Sequence, residues 1–494
     1  MLNQETETAA LPEPTTTPTP KRPATSVVLN PNAQLDLKSG SVEAYYGESC
    51  MANPDIRSLN QRLYRWQGDH WAIQDREAET RNALKWLVSN AKKRANTGLA
   101  KSCADTAIYL VDPLPPKSPV TIVPVKGAWL TIQNDGLVAQ LPDREVGICH
   151  RINSDTTIPL GPYTPKAVPA DSLFGRYIET ALPDPEVRAC VQDYVGYTLT
   201  NSTAFQCAQF WVGGGSNGKS VLANIVRELH AKAVSMQIDK LSGFELAAIV
   251  GASLVTVDEA ADKKVNQQVL KSIISGGAIG INPKYDGVFT YAPTAKWLIC
   301  GNHLPQISDT SKGWWRRFQV VEWNGSFEGK EKIAELDKKI IATEMHIALD
   351  WALEGLRRVV SRNYEVPPLP AAMVKAQFEA VITSNDVLGW VHERGVVVTP
   401  GRFTDKEVIW NHYVEYVRRK GRYPLEMNAF FKKLKAALPK MNGEGRITVG
   451  SGVNKRRPWC ADVMWGNYAD EDPVGVDEPA DPFEEEDDKG LTTG

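Results

Sequence analysis

The spacing of apolar residues changes several times along the chain, and each change marks an element. The run LYRWQGDHWAIQD alternates apolar and polar positions around Gly68-Asp69, which predicts a β-hairpin. Residues 78–94, 172–182 and 185–199 carry helical spacing, and Pro185 suits the first turn of its helix. Residues 206–212 form a short apolar run that ends in glycines. From there to about Phe318 short apolar runs alternate with helical stretches, the order expected of a parallel α/β sheet. Helical spacing returns over 330–360. Beyond the Pro-rich YEVPPLP it predicts two amphipathic helices, 405–420 and 426–438, followed by the β-like turns of RITVGSGVNKRRPW.

This order predicts a chain of several units, since 494 residues exceed what one core accommodates. Residues 1–35, rich in Thr, Pro and Glu, are expected to be disordered. A mixed α/β N-terminal module should span 40–158, and four prolines between 159 and 169 suggest a linker. A helical unit over 170–204 would lead into an α/β domain over 205–365. A C-terminal domain over 384–465 and an acidic, disordered tail over 466–494 complete the expectation. No internal repeat is visible.

Charge sharpens the picture. The segment 470–489 carries eleven carboxylates and one lysine, a net of −10, so the total of −3 leaves +7 on the remainder. A mildly basic body is compatible with a polyanionic partner. No run of eighteen apolar residues occurs, and the N-terminus lacks the apolar stretch of a secretory signal, so the expectation is a cytoplasmic protein without membrane contact. The seven cysteines form no Cys-x-x-Cys pair, which argues against a zinc ribbon or a disulfide framework.

The strongest chemical signal is Gly213-Gly214-Gly215-Ser216-Asn217-Gly218-Lys219-Ser220, which fits G-x-x-x-x-G-K-[ST]. Such glycines let backbone N–H groups converge on phosphate oxygens, and the following helix adds its dipole. Lys219 would reach the β- and γ-phosphates, and the Ser220 hydroxyl would coordinate Mg²⁺. Asp258-Glu259 follow the apolar run Ser253-Leu-Val-Thr-Val257, where Asp258 would hold the metal through water and Glu259 would act on the attacking water as general base. A third apolar run, Lys296-Trp-Leu-Ile-Cys300, ends in Gly301-Asn302, which places an amide at a strand tip. Further on, Arg316-Arg317 follow Trp314-Trp315. The stretch 276–290 reads as a hairpin whose tip carries Lys284 and Tyr285, one to neutralise a phosphate and one to stack.

Together GGGSNGKS, VTVDEA, KWLICGNHLP and GWWRRF resemble the superfamily-three DNA helicases, specifically the helicase half of the phage/plasmid and poxvirus-like primase-helicases. The resemblance implies a P-loop, AAA+-like ATPase core between a mixed helical N-terminal module and a C-terminal winged-helix-like domain. It implies a sensor role for Asn302 and an arginine finger acting on the neighbouring subunit's nucleotide, with Arg317 preferred to Arg316. It also implies that the Lys284–Tyr285 hairpin lines a ring's pore, and that Lys432, Lys433, Arg456 and Arg457 form a phosphate-binding face of the winged helix. ATP and Mg²⁺ would be the cofactors, and single-stranded or forked DNA the substrate. The chain would assemble as a ring, expected to be hexameric, and work in a bacterial host's cytoplasm with a separate primase, polymerase or single-strand binding protein. One departure stands out: the first 200 residues hold no Asp-x-Asp at the end of an apolar run and no Cys/His cluster, so a helicase without primase activity is expected. Adjacent Cys149-His150 read as packing residues. Two other function classes remain open: a replication initiator or loader that uses ATP for assembly on origin DNA, and a P-loop kinase of a small molecule.

Overall fold

A computed structural model describes residues 40–133, 136–154, 157–258, 265–283, 287–304, 312–327, 333–446 and 458–466. Five short strands form its central sheet, four of them largely buried and the edge strand β2 partly exposed. They are β1 (Ala208–Val212), β2 (Ala233–Ser235), β3 (Leu254–Val257), β6 (Lys296–Gly301) and β7 (Phe318–Glu322). A two-stranded hairpin, β4 (Ile279–Ile281) and β5 (Phe289–Tyr291), interrupts the series. The sheet runs in the order β7-β1-β6-β3-β2, with every pairing parallel.

Successive side chains serve opposite faces. Trp211, Leu254, Leu298 and Val321 join one core, and Phe210, Val255, Trp297 and Val320 the other. Burial on both sides explains the unbroken apolar runs, as parallel sheets require. One face is covered by helix α1 (Lys219–Leu229), by Pro185–Thr198 and by Met345–Ser361. On the other lie α2 (Gln267–Ile274) and helix Ala371–Ser384, whose Gln377 Nε2 donates to the Trp315 carbonyl at 3.1 Å.

N-terminal to the sheet, helices Val42–Met51, Arg76–Asn90 and Thr97–Leu110 enclose their own core beside a three-stranded antiparallel sheet. The hairpin expected around Gly68 joins two of those strands, Arg62–Trp66 and Trp71–Ile73, and Gly68 takes the positive φ its turn demands. A four-stranded antiparallel sheet follows. Its last strand, Gly161–Tyr163, comes from the proline-rich segment. That segment is tied down: the Tyr163 hydroxyl and the Lys166 N–H both donate to the buried Asp350 carboxylate, at 2.5 and 3.1 Å.

The C-terminal part has a separate core. Helices Asp386–Glu393, Lys406–Arg419 and Met427–Ala437 pack around Trp390, Tyr413 and Phe430. Two small antiparallel sheets flank them. No described helix is long and apolar enough to cross a membrane.

Candidate nucleotide site and nucleic-acid surfaces

The loop between β1 and α1 is shaped by two glycines. A Cβ on Gly213 would lie 2.2 Å from Asn217 Nδ2 and 2.6 Å from the Trp323 carbonyl oxygen. Gly218 sits at φ +87°, and its Cβ would meet Tyr177 and Phe327 at about 3 Å. Gly214 and Gly215 face open space. The two positions that the G-x-x-x-x-G-K-[ST] pattern fixes as glycine are therefore the two that sterics fix here.

Three hydrogen bonds hold the loop's shape. Asn217 Nδ2 donates to the Trp323 carbonyl at 2.9 Å, the Tyr177 hydroxyl donates to the Gly218 carbonyl at 2.8 Å, and Lys219 Nζ donates to the Gly213 carbonyl at 2.6 Å. Lys219 also donates to Asn217 Oδ1 at 3.0 Å. Burial pushes the Lys219 amine below its ordinary pKa, and the acceptors it meets among the described residues are neutral oxygens. A phosphate oxygen would be a stronger acceptor than either.

Helix α1 opens without a side-chain cap, whereas the helices Pro185–Thr198 and Gln267–Ile274 are capped by Asp184 and Asn266. An uncapped start presents N–H groups and the positive end of the dipole to the loop mouth. Ser220, the second residue of the helix, is exposed there.

The neighbouring strands bring further groups to the same edge. Gly301 pairs with Val212, and Val257 with Ile299, so Asn302 and Asp258 follow strands β6 and β3 out of the sheet beside the loop. Strands lie about 4.8 Å apart, which puts Gly213, Asn302 and Asp258 on three adjacent strand ends. Both side chains are exposed. The buried Cys300 thiol, beneath them, is pushed up to about 12 by burial and then by the Asp258 charge, so it stays protonated. Glu259 lies outside the described residues.

Arg316 and Arg317 stand at the opposite edge. The Ala208 N–H donates to the Arg317 carbonyl at 2.7 Å, at the start of β1, while the glycine loop begins where β1 ends. Arg316 is exposed. Arg317 is partly buried, donating from Nε to Ser275 Oγ at 2.9 Å and from Nη1 to the Gly313 carbonyl at 2.6 Å. Burial, with Arg316 beside it, lowers the Arg317 pKa.

Of the other residues expected to touch DNA, Lys432 and Lys433 are exposed on helix Met427–Ala437. Arg456, Arg457, Lys284 and Tyr285 lie outside the described residues. The root of the β4–β5 hairpin is braced from two sides: the Arg62 guanidinium of the N-terminal sheet sits 4.1 Å over the Phe289 ring, and the Tyr291 hydroxyl accepts from the Gly251 N–H, just before β3, at 2.8 Å. His150 is buried against the Leu199 carbonyl, and among the described residues no cluster of His, Cys, Asp or Glu could hold a metal ion.

Tyr177, Trp323 and Phe327 shape the loop, yet nothing in the sequence marks them. They come from a helix 36 residues before Gly213 and from the segment after β7, so only the folded topology joins them to it.

Residues 211–317, from the end of β1 to Arg317, match the model of a family of unknown function, DUF5906. The chain is 22% identical over 206 residues to a protein provisionally named helicase 121R of Invertebrate iridescent virus 3. That match covers 37% of this chain and 22% of the viral protein. It is 25% identical over 180 residues to a protein provisionally named helicase 022R of Frog virus 3, covering 33% and 18%. The chain thus spans about a fifth of the length of these curated relatives. Among solved structures, the apo NrS-1 C-terminal region (residues 305–718) overlays 86% of this chain and all of its own, at 13% identity and a TM-score of 0.45. That overlay is too loose to inform the chemistry.

Proposed function

We propose that the chain is an ATP-driven DNA helicase of superfamily three that works as a ring on single-stranded DNA during phage or plasmid replication. The observation that carries this reading is the sheet's carboxyl edge. There an uncapped helix start, a buried lysine whose two described acceptors are neutral oxygens, and Asp258 and Asn302 on adjacent strands surround one open loop. The helicase names of the viral relatives support it.

The residues suit a Mg²⁺-nucleotide. Glycines 213–215 and 218, with the first N–H groups of α1, would cradle the β-phosphate. Lys219 would exchange the Gly213 carbonyl for phosphate oxygens. Ser220 and Asp258 would hold the metal, which when bound neutralises charge on the transferred phosphoryl group. Glu259 would take a proton from the attacking water, and Asn302 would orient that water. The P-loop and the arginine pair occupy opposite edges of one sheet, and β1 separates them by four residue steps, roughly 13 Å. The pair would therefore serve the next subunit's nucleotide in a closed ring. Basic Lys432, Lys433, Arg456 and Arg457 would give the C-terminal, winged-helix-like domain its phosphate contacts, and Lys284 and Tyr285 would grip the strand in the pore.

Strand displacement on a forked substrate that lacks any origin sequence tests the proposal. ATP-dependent separation is expected. ATP turnover without separation would instead favour an initiator or loader.

A further inference from the structure

We propose that Trp459 is a stacking platform for an unpaired base, which makes the C-terminal domain a single-stranded DNA site separate from the motor. The excess positive charge of the chain is concentrated in this domain: residues 384–466 hold fifteen Lys and Arg against eight Asp and Glu, a net of +7. Of the fourteen tryptophans Trp459 alone is exposed, at 52%, while the others are buried or half-buried. An indole left in water on a cationic surface forgoes the burial that the rest of the chain gives its tryptophans.

Its surroundings suit a nucleic-acid strand. Trp459 begins the strand Trp459–Ala461, and its cross-strand partner is Arg446, whose guanidinium carbon lies 5.8 Å from the indole centroid. On helix Lys406–Arg419 the Lys406 ammonium lies 5.6 Å from the same ring and 4.7 Å from Phe431. Lys406 is held there by Glu444 Oε2 at 2.8 Å, so the cation beside the ring is fixed in place. An exposed aromatic ring flanked by two cations, of which Lys406 is held by Glu444, matches what an unpaired nucleotide offers, a π-face for the indole and a phosphate for the arginine. A paired base has its faces covered by its neighbours in the stack and offers no such contact. Lys432 and Lys433 on helix Met427–Ala437 can serve phosphates of either form; Trp459 adds the preference for a single strand.

The inference borrows from the helicase reading only its choice of DNA. It is tested by binding without nucleotide, so a failed motor assignment would leave the test valid. Fluorescence anisotropy with a labelled oligothymidylate and with a blunt duplex would be measured on the full chain and its variants. Trp459→Ala should weaken single-strand binding about tenfold while changing duplex binding less than about twofold. Trp459→Tyr, which keeps an aromatic face, should stay within about threefold of the parent protein. Arg446→Gln should lower the salt slope of single-strand binding by about 0.7, the share of one phosphate contact. The proposal is overturned by unchanged single-strand affinity in Trp459→Ala or by equal losses on both substrates. It is equally overturned by a Tyr variant no better than Ala, or by an unaltered salt slope in Arg446→Gln.

Discussion

If the chain assembles as the proposed ring, mixing two variants expected to be inactive tests where the arginine pair acts. Lys219→Ala removes the proposed phosphate ligand but keeps both arginines. Arg317→Ala keeps the loop but removes one cation. Because the pair lies at the amino edge of β7 and the loop at the carboxyl edge of β1, neither variant can repair its own site. In a closed ring every interface joins the loop of one subunit to the arginines of the next. Random assembly of equal amounts then pairs an intact loop with an intact Arg317 at about a quarter of the interfaces. An arginine finger in trans is typically worth 10³–10⁵ in rate, so each pure variant should be nearly silent. The mixture should recover up to about a quarter of the parent's ATP turnover per interface. The assay is steady-state ATP hydrolysis with single-stranded DNA, with subunit exchange verified by differently tagged chains. Arg316→Ala belongs in the same experiment, because Arg316 is the exposed member while Arg317 is tied to Ser275 and Gly313. No recovery with either arginine variant, in rings shown to be mixed, would refute action across an interface.

Glycine substitutions should divide by position: Gly218→Ala, strained at φ +87° and crowded by Tyr177, should lose nucleotide binding, whereas Gly214→Ala should retain most of it, as fluorescent-nucleotide titration would show. Loss at both positions, or at neither, would contradict the steric account. Stability should depend on Lys296, which is fully buried beneath the Tyr197 ring, near His150, His230 and Cys207, and donates to the Thr200 and Thr294 carbonyls. Burial lowers its pKa from 10.5 to about 7, so the unfolded chain binds more protons between those values and stability rises with pH across that window. From pH 7 to 8.5 the gain should be about 1.5 kcal/mol; above pH 9 the buried thiols, whose pKa values are raised, oppose it. Denaturant midpoints of Lys296→Met should lack this slope, and a matching slope in the variant would remove Lys296 as its source. Asn302→Ala should bind nucleotide normally and hydrolyse it at least about tenfold more slowly, with single-turnover kinetics as the check. An unchanged rate would reduce Asn302 to a turn residue.

The legibility of the parallel sheet and its glycine loop followed from their physics. Strands buried on both faces read as unbroken apolar runs, so β1, β3 and β6 stood out, and the glycines between β1 and α1 left a pattern few other structures need. The groups that complete the loop were invisible because their contacts are distant in sequence: Tyr177 meets Gly218, and Trp323 meets Asn217, only after β7 has joined β1. The proline-rich segment 159–169 read as a linker because prolines end regular structure. Its strand and its hydrogen bonds to Asp350, nearly 190 residues away, could not be read locally. Trp459 was illegible for a similar reason: a tryptophan beside basic residues looks like any amphipathic surface until its exposure and its cross-strand Arg446 are known.

The central claim, that the loop at 213–220 powers a motor working on DNA, is tested most directly by ATP turnover with and without single-stranded DNA. The parent chain should hydrolyse ATP faster with DNA present, and Lys219→Ala, folded to the same melting temperature within a few degrees, should retain no more than a few per cent of that activity. DNA-independent turnover in the parent, or substantial DNA-stimulated turnover in Lys219→Ala, would contradict the account.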